Sequence, residues 1–142
     1  MAEKLCELRK KGGGGGGFDE TTLWTNNSPS SDQASATKTL DTGKFSDYDF
    51  IKLVWNFNTT NTGTLYSTYV PLASFVEFKT GTGAGQGAIF VGTTNASGNH
   101  FDRPIYYTND TSFQIGNCYQ TASSTLNNTR AILVNIIGCK FK

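Results

Sequence analysis

A run of six consecutive glycines near the amino terminus constrains this chain more than any other feature. It separates a short charged segment, residues 1–11, from a body that spans residues 18–142. Glycine loses more conformational entropy on ordering than any other residue, so such a run forms neither a helix nor a strand on its own. The sequence therefore predicts two parts, an N-terminal arm with a glycine neck at residues 1–17 and one folded domain at residues 18–142.

Short polar residues and aromatic residues dominate the body. Hydrophobic residues make up 37% of the chain and charged residues 16%, both below the averages for soluble domains of about 45–50% and about 25%. Thr, Ser, Asn and Gly fill the difference, while ten Phe, six Tyr and two Trp supply apolar area for a core. This composition is typical of antiparallel strands with one solvated face and many turns.

Charge and hydropathy argue against several classes of function. The formal net charge is +1 and the Lys and Arg residues are scattered, so the chain lacks the basic patch that binds nucleic acid. No apolar run approaches the roughly 20 residues of a membrane span, and the N-terminal residues lack the apolar region of a secretory signal. We therefore expect a protein made in a reducing cytoplasm, with no nucleic-acid partner and no membrane insertion.

Short strands separated by turn clusters are predicted along the whole body. The strongest is Phe50–Asn58, where apolar residues alternate with Lys and Asn, so that one face packs on a core and the other is wetter. Pro71 either ends the strand before it or places that strand at a sheet edge, because proline lacks a ladder donor. Residues 130–141 are apolar on both faces, which predicts a strand that is central in a sandwich or whose outer face is covered by a neighbouring subunit. Further strands are predicted at residues 21–26, 34–40, 65–70, 75–79, 88–92, 105–108 and 112–120.

Eight or nine such strands, with turn signals between them and no convincing helix, define the predicted fold class. It is an all-β fold, an antiparallel β-sandwich with a jelly-roll-like body and a short N-terminal arm.

No residues combine into a convincing catalytic or metal-binding motif. His100 is the only histidine, and we interpret it as a surface-loop residue although Ser97 and Asp102 lie near it, because catalytic triads usually assemble from distant segments. Asp47 and Asp49 are interpreted as turn residues rather than as acid–base or calcium groups. We therefore expect no enzymatic activity, no cofactor and no bound metal.

The second glycine-rich segment and the three cysteines are likewise not interpreted as ligand-binding or metal-binding sites. The segment Gly81–Gly87 is rich in glycine, but a strand rather than a helix is predicted after it, unlike in a phosphate-binding loop. Three cysteines without C-x-x-C spacing argue against a disulfide framework or a zinc site. Cys118 and Cys139 fall in predicted strands and are expected to be buried.

Several tyrosines provide candidate binding residues, because an aromatic ring can stack on the apolar face of a sugar. Tyr66, Tyr69 and Tyr106 are the candidate glycan contacts. Alternation along a strand places Tyr106 and Tyr107 on opposite faces, so at least one of the two is expected in the core. Packing in the core or between subunits is the alternative role for these rings.

Three short motifs stand out in the body. They are Leu-Trp-Thr-Asn-Asn-Ser-Pro at residues 23–29, Ser-Asp-Tyr-Asp-Phe-Ile at 46–51 and Gly-Cys-Lys-Phe-Lys at 138–142. Together they resemble small domains of virion proteins of tailed bacteriophages, found in head fibres, capsid decoration, tail fibres and baseplates. Unlike long tail fibres, the chain has no coiled coil or fibrous repeat. The resemblance implies a structural or adhesive role, usually in a trimer, and transfers no catalytic residues.

This resemblance leads to the hypothesis of a structural virion protein of the head-fibre or capsid-decoration type, displayed on the virion surface after assembly in the host cytoplasm. The arm would bind capsid or tail proteins of the same particle, and the glycine neck would cross a narrow space or bridge a symmetry mismatch. The predicted anchoring residues are Leu5, Cys6, Leu8, Gly12, Gly13, Gly14, Gly15, Gly16 and Gly17.

The alternative is a receptor-binding protein of a tail fibre or baseplate, or a carbohydrate-binding module, that contacts host surface glycans through its tyrosines. Under both hypotheses the protein is expected to be a homo-oligomer, most simply a trimer. Its loops at residues 59–63, 81–87 and 93–102 are expected to face outward.

Overall fold

The computed structural model describes residues 17–77 and 89–142, and these residues form two antiparallel β-sheets that pack on one shared core. The strands are β1 (Phe18–Thr25), β2 (Ala36–Thr39), β3 (Phe50–Asn58), β4 (Leu65–Pro71), β5 (Ile89–Thr94), β6 (His100–Asn109), β7 (Ser112–Ile115), β8 (Tyr119–Gln120), β9 (Thr125–Leu126) and β10 (Arg130–Phe141). Two short helical segments lie in the connections, a 3-10 helix at Phe45–Asp47 and the helix α1 at Leu72–Phe75. The prediction of an all-β sandwich is confirmed.

Four long strands make up the first sheet, in the order β1-β10-β3-β4. β10 lies between β1 and β3, and on its outer face Ile132 and Cys139 are fully buried, so this strand is covered on both faces at these positions. β4 is an edge strand that ends at Pro71, so both alternatives predicted for this proline hold.

The second sheet is built from shorter strands in the order β2-β7-β6-β8-β9, with β5 paired to β6. As in a jelly roll, β1, β2 and β3 alternate between the sheets and the first and last strands pair with each other. The pairs β3–β4, β5–β6 and β6–β7 are formed by strands that follow one another in the chain.

One apolar core between the sheets holds them together. β3 contributes Ile51, Leu53 and Trp55, the alternating residues that its sequence pattern predicts. Phe45 and Phe75 meet edge to face inside this core, with ring centroids 5.2 Å apart. Full burial of one such side chain contributes roughly 1.5–3 kcal/mol to folding.

The residues after Pro71 correct the strand predicted at residues 75–79. Residues 72–75 form α1, and this single turn places Leu72 and Phe75 on the same face, both against the core. A strand would place two residues three apart on opposite faces. Residues 76–77 form a turn, while residues 78–79 of the predicted strand and the glycine-rich segment Gly81–Gly87 lie outside the described residues.

Three further details differ from the prediction. β6 begins at His100, so the predicted loop at 93–102 shrinks to a hairpin at residues 95–99, because cross-strand pairing continues to the pair Thr94–His100. The strand predicted at 112–120 divides into β7 and β8. The outer face of β3 was predicted to be solvated, but Asn56 on this face is fully buried. The segment after β1 covers it, and the Asn56 amide donates to the Pro29 carbonyl.

The two ends of the sandwich carry different parts of the chain. At the root end, β1 begins at Phe18 opposite Phe141 of β10, and the Lys142 backbone N–H donates to the Gly17 carbonyl over 3.2 Å. At the loop end lie the β3–β4 connection, residues 59–64, and the β5–β6 hairpin, residues 95–99. The neck therefore enters the body at the end opposite these polar loops.

Candidate functional site

The neck joins the body within a cluster of aromatic rings on the outer face of the first sheet. The Phe18 ring centroid lies 5.5 Å from that of Phe50, 5.7 Å from that of Tyr69 and 5.2 Å from that of Phe141. Each ring comes from a different strand of the sheet. Tyr69 is 45% exposed and Phe141 is 41% exposed. We call these four residues the neck-root cluster, which offers an apolar surface where the arm begins.

A charged network borders the neck-root cluster. The Lys52 Nζ lies 3.3 Å from Glu20 Oε1 and 5.3 Å from the centroid of the Tyr69 ring, and the Tyr69 hydroxyl donates to the same Glu20 oxygen over 3.2 Å. Burial acts to lower the pKa of Lys52, but the hydrogen bonds with Tyr69 and Glu20 and the Glu20 charge outweigh it, so the pKa is raised. Apolar rings with a charged rim are the composition of many protein–protein interfaces.

The thiol beneath this network is inert. Cys139 is fully buried, and burial, with a smaller contribution from the Glu20 charge, raises its pKa. Cys118 is also buried, and burial raises its pKa to about 11. The predicted burial of both cysteines is confirmed, and both are free thiols.

The structure does not bring the three candidate glycan contacts together. Tyr69 lies on the outer face of the first sheet, whereas Tyr66 lies on the opposite face of β4 and stacks on Trp55 at 6.0 Å. Tyr106 lies on the outer face of the second sheet, since its neighbour Tyr107 packs against the core as predicted for one of the two. The three candidate rings therefore point in three directions and form no shared platform for a sugar.

His100 and Asp102 meet on the outer face of the second sheet. The His100 Nε2 lies 3.1 Å from Asp102 Oδ1, and its Nδ1 lies 2.8 Å from the Thr94 hydroxyl oxygen. Thr121 donates its hydroxyl to the other carboxylate oxygen of Asp102 over 2.8 Å. Ser97 stays in the hairpin, where its N–H donates to Asn95 Oδ1.

In this cluster a carboxylate, an imidazole and a hydroxyl contact one another in that order, as in the catalytic triad of a hydrolase. Their surroundings, however, are those of side chains that pack across neighbouring strands. Thr94 and His100 are directly paired residues of β5 and β6, and the imidazole is 53% exposed on an open sheet face. Electrostatic catalysis depends on a preorganised, water-excluded site. We interpret the cluster as side-chain pairs that fix the register of the hairpin.

The remaining carboxylates of interest also serve the fold. Asp47 lies in the 3-10 helix with its carboxylate 3.9 Å from Lys44 Nζ, and Asp49 accepts from the Phe141 backbone N–H over 2.9 Å. Within residues 17–77 and 89–142, no group of three or more His, Cys, Asp or Glu side chains is placed to hold a metal ion.

Arg103 is the buried polar residue that sequence reasoning missed. It is fully buried on β6, at a core-facing position between Phe101 and Ile105. Burial lowers its pKa to about 10, so the guanidinium remains charged at neutral pH. A basic residue at a core-facing position of an alternating strand was the signal that could have found it.

Each N–H of the Arg103 guanidinium donates to a backbone carbonyl. Nε donates to Ala131 over 2.8 Å, Nη1 to Gly116 over 2.7 Å and to Gln33, and Nη2 to Asn128 over 3.2 Å and Arg130 over 3.0 Å. These carbonyls belong to β10 and to three connecting segments, so this side chain has a structural role between the sheets.

The predicted anchoring residues Leu5, Cys6, Leu8 and Gly12 to Gly16 lie outside the described residues, and of this set only Gly17 is seen. No protein-family model, no curated protein and no solved structure matches this chain.

Proposed function

We propose that this protein is a structural surface component of a tailed-bacteriophage virion, of the head-fibre or capsid-decoration type, attached through residues 1–17. The observation that carries this proposal is the opposition of the neck and the polar loops. The neck enters at the root end, while residues 59–64 and 95–99 lie at the loop end. A body attached at its root therefore presents these loops outward. The resemblance of the motifs at 23–29, 46–51 and 138–142 supports the same assignment.

The neck-root cluster supports attachment at this end. Six extended glycines reach at most about 20 Å, so a partner that binds the arm lies close to the half-buried ring of Phe18 and the exposed rings of Tyr69 and Phe141. We assign the capsid or tail partner to both surfaces, the arm and the neck-root cluster. Contact with both would give the short arm an effective concentration that raises its affinity.

Among the described residues, β4 has a strand partner on one side only. This edge of the first sheet supports assembly into a homo-oligomer, which we propose to be a trimer on the virion surface assembled in the host cytoplasm. Leu65 is 56% exposed and Tyr66 is 40% exposed on the edge strand β4. An exposed edge with apolar side chains is a surface that proteins usually cover. No helix formed by the described residues has the length and apolar character needed to cross a membrane.

Deletion of residues 2–11 tests the attachment. We expect the truncated protein to remain folded and oligomeric, by circular dichroism and light scattering, but to be missing from purified particles. Phe141→Ser should reduce incorporation without unfolding the body, whereas Phe90→Ser, which alters a 56% exposed ring on the second sheet, is the matched control. Normal incorporation of the truncated protein would overturn the proposal.

A second candidate function is host-glycan recognition by a tail-fibre or baseplate protein. The dispersed tyrosines do not favour it. A polar cavity between the edges of the two sheets, beside β1 and β2, does favour it.

A further inference from the structure

A cavity of about 360 Å³ opens between the edges of the two sheets, beside the end of β1 and the strand β2. Its size lies at the lower end of the range for small-molecule sites, about 300–1,000 Å³. Trp24 lines it on the apolar side, and short polar residues of segment 25–33, together with Lys38 and Asp41, line most of the remainder. The motif at residues 23–29 thus builds one wall of the cavity.

Hydrogen bonds to distant strands hold these walls in place. Asp41 Oδ2 accepts from the Thr25 backbone N–H over 2.8 Å, and the Asn26 amide donates to the Leu133 carbonyl over 3.0 Å. The Gln33 amide bonds both to the Leu133 N–H, over 2.8 Å, and to its carbonyl, over 3.0 Å. The loop between β1 and β2 is therefore fixed to β10 near both of its ends, so the cavity is preformed.

Other polar side chains of the lining are free to bind a ligand. Among the residues that the structure describes, the side chains of Asn27, Ser31, Asp32 and Lys38 have no hydrogen-bond or ion-pair partner. They supply donors and acceptors together, since carboxylate oxygens accept, an ammonium group donates, and amides and hydroxyls do both.

We propose that this cavity binds one sugar residue of a neutral glycan. The lining carries two carboxylates, Asp32 and Asp41, and one ammonium, Lys38, a net charge of −1, which disfavours phosphates and acidic sugars. An apolar ligand would leave these polar groups desolvated without partners. Sugar hydroxyls both donate and accept, so they match the mixed set, and Trp24, which is 6% exposed, supplies a small apolar contact. Binding here involves the body alone and goes beyond the attachment proposed above.

The test begins with an array of neutral and acidic oligosaccharides probed with the labelled full-length protein. We expect saturable binding confined to neutral structures. The strongest oligosaccharide is then titrated against Asp32→Asn and Lys38→Met, each of which should weaken binding about tenfold, as for the loss of one charged hydrogen bond. Asp47→Asn, which alters an exposed carboxylate away from the cavity, is the matched control and should leave the affinity unchanged.

Melting temperatures of the variants show whether they are folded, which we expect because neither side chain has a described partner. Three results would overturn the inference: no saturable binding to any glycan, binding that Asp32→Asn and Lys38→Met leave unchanged, or preference for acidic glycans. Loss of glycan binding in a protein that still enters particles would leave the attachment untouched. Retained glycan binding by the protein lacking residues 2–11 is expected.

Discussion

The root end and the loop end of this sandwich are closed by different chemistry. At the root end, aromatic rings cover the sheet on both faces, with the neck-root cluster outside and the Tyr48 ring over Gly138 inside. Toward the loop end, the polar side chains Arg103 and Gln33 are buried and bind backbone groups.

Strand pairing explains this difference. At the root end Phe18 pairs with Phe141, so β1 and β10 stay paired up to the ends of both strands, and aromatic rings cover the outer surface there. At its other end β1 stops at the pair Thr25–Asn135, while β10 extends back to Arg130. On the side of β10 that faces away from β3, the Arg130 and Ala131 carbonyls and the Leu133 N–H have no strand partner, and leaving such groups buried and unpaired costs about 1–3 kcal/mol each. Side chains from elsewhere in the fold therefore replace the missing strand.

Of the substitutions that test this difference between the two ends, Arg103→Met is expected to have the largest effect on stability. The variant removes the Arg103 donors from five carbonyls, of which that of Asn128 still accepts from the Gln33 backbone N–H. We expect it to lower the free energy of unfolding by about 3–5 kcal/mol, as when one partner of a buried charged network is removed. Arg103→Lys should recover only part of the loss, because an ammonium group has three donors rather than five. Urea denaturation followed by tryptophan fluorescence measures both.

Arg130→Met is the control for this measurement. The Arg130 guanidinium lies 4.9 Å from the Phe57 ring centroid and 5.3 Å from that of Phe101, and its buried Nε has no partner among the described residues. We expect a loss of about 1 kcal/mol, typical of such a cation–π contact. If Arg103→Met and Arg130→Met lower the free energy of unfolding equally, the hydrogen bonds from Arg103 to the carbonyls have no special role in stability.

The sequence predicted the first sheet better than the second, for a physical reason. β3 and β10 are long, and their apolar patterns extend over whole strands, so their bounds follow from periodicity. β8 and β9 have two residues each, too short for any period. The start of β6 was missed because its core-facing alternation is interrupted by Arg103, whose burial depends on carbonyls from four distant segments.

The candidate sites show the same limit. Tyr66 and Tyr69 are three residues apart in one predicted strand, so their opposite faces were predictable from alternation alone. The cavity was not, because its walls depend on the contact between Gln33 and Leu133, which are 100 residues apart. The signal available in the sequence was the long connection between β1 and β2, which is rich in Asn, Ser and Asp.

Gly138→Ala tests the aromatic packing at the root end. A Cβ added to Gly138 would lie 2.5 Å from the nearest atom of the Tyr48 ring, so the ring must move, and we expect a loss of about 1–3 kcal/mol in the free energy of unfolding. Combined with Tyr48→Ala, the same substitution should cost much less, which a double-mutant cycle measures. Gly63→Ala, where an added Cβ meets nothing within 4 Å, is the control. If the effects of the two substitutions are simply additive, the packing of the Tyr48 ring does not depend on a glycine at position 138.

The smallest effect is expected where the root end uses a carboxylate instead of rings. The Ser46 hydroxyl donates to Asp110 Oδ2 over 2.6 Å and its backbone N–H donates to Oδ1 over 2.7 Å. The hydroxyl bond, with a smaller contribution from the backbone bond, lowers the pKa of Asp110 from its ordinary 3.8.

Because the folded-state pKa lies below the unfolded value, the contact stabilises the protein above about pH 4 and is lost as the pH falls through the folded-state pKa. Ser46→Ala keeps the backbone bond but removes the stronger one. We expect it to destabilise the protein at pH 6 by a few tenths of a kcal/mol, since the contact is solvent-exposed, and to approach the stability of the parent protein as the pH falls through the folded-state pKa of Asp110. Chemical denaturation across this range measures the difference. A loss that stays constant with pH would mean that the hydroxyl acts through packing rather than through its hydrogen bond to the Asp110 carboxylate.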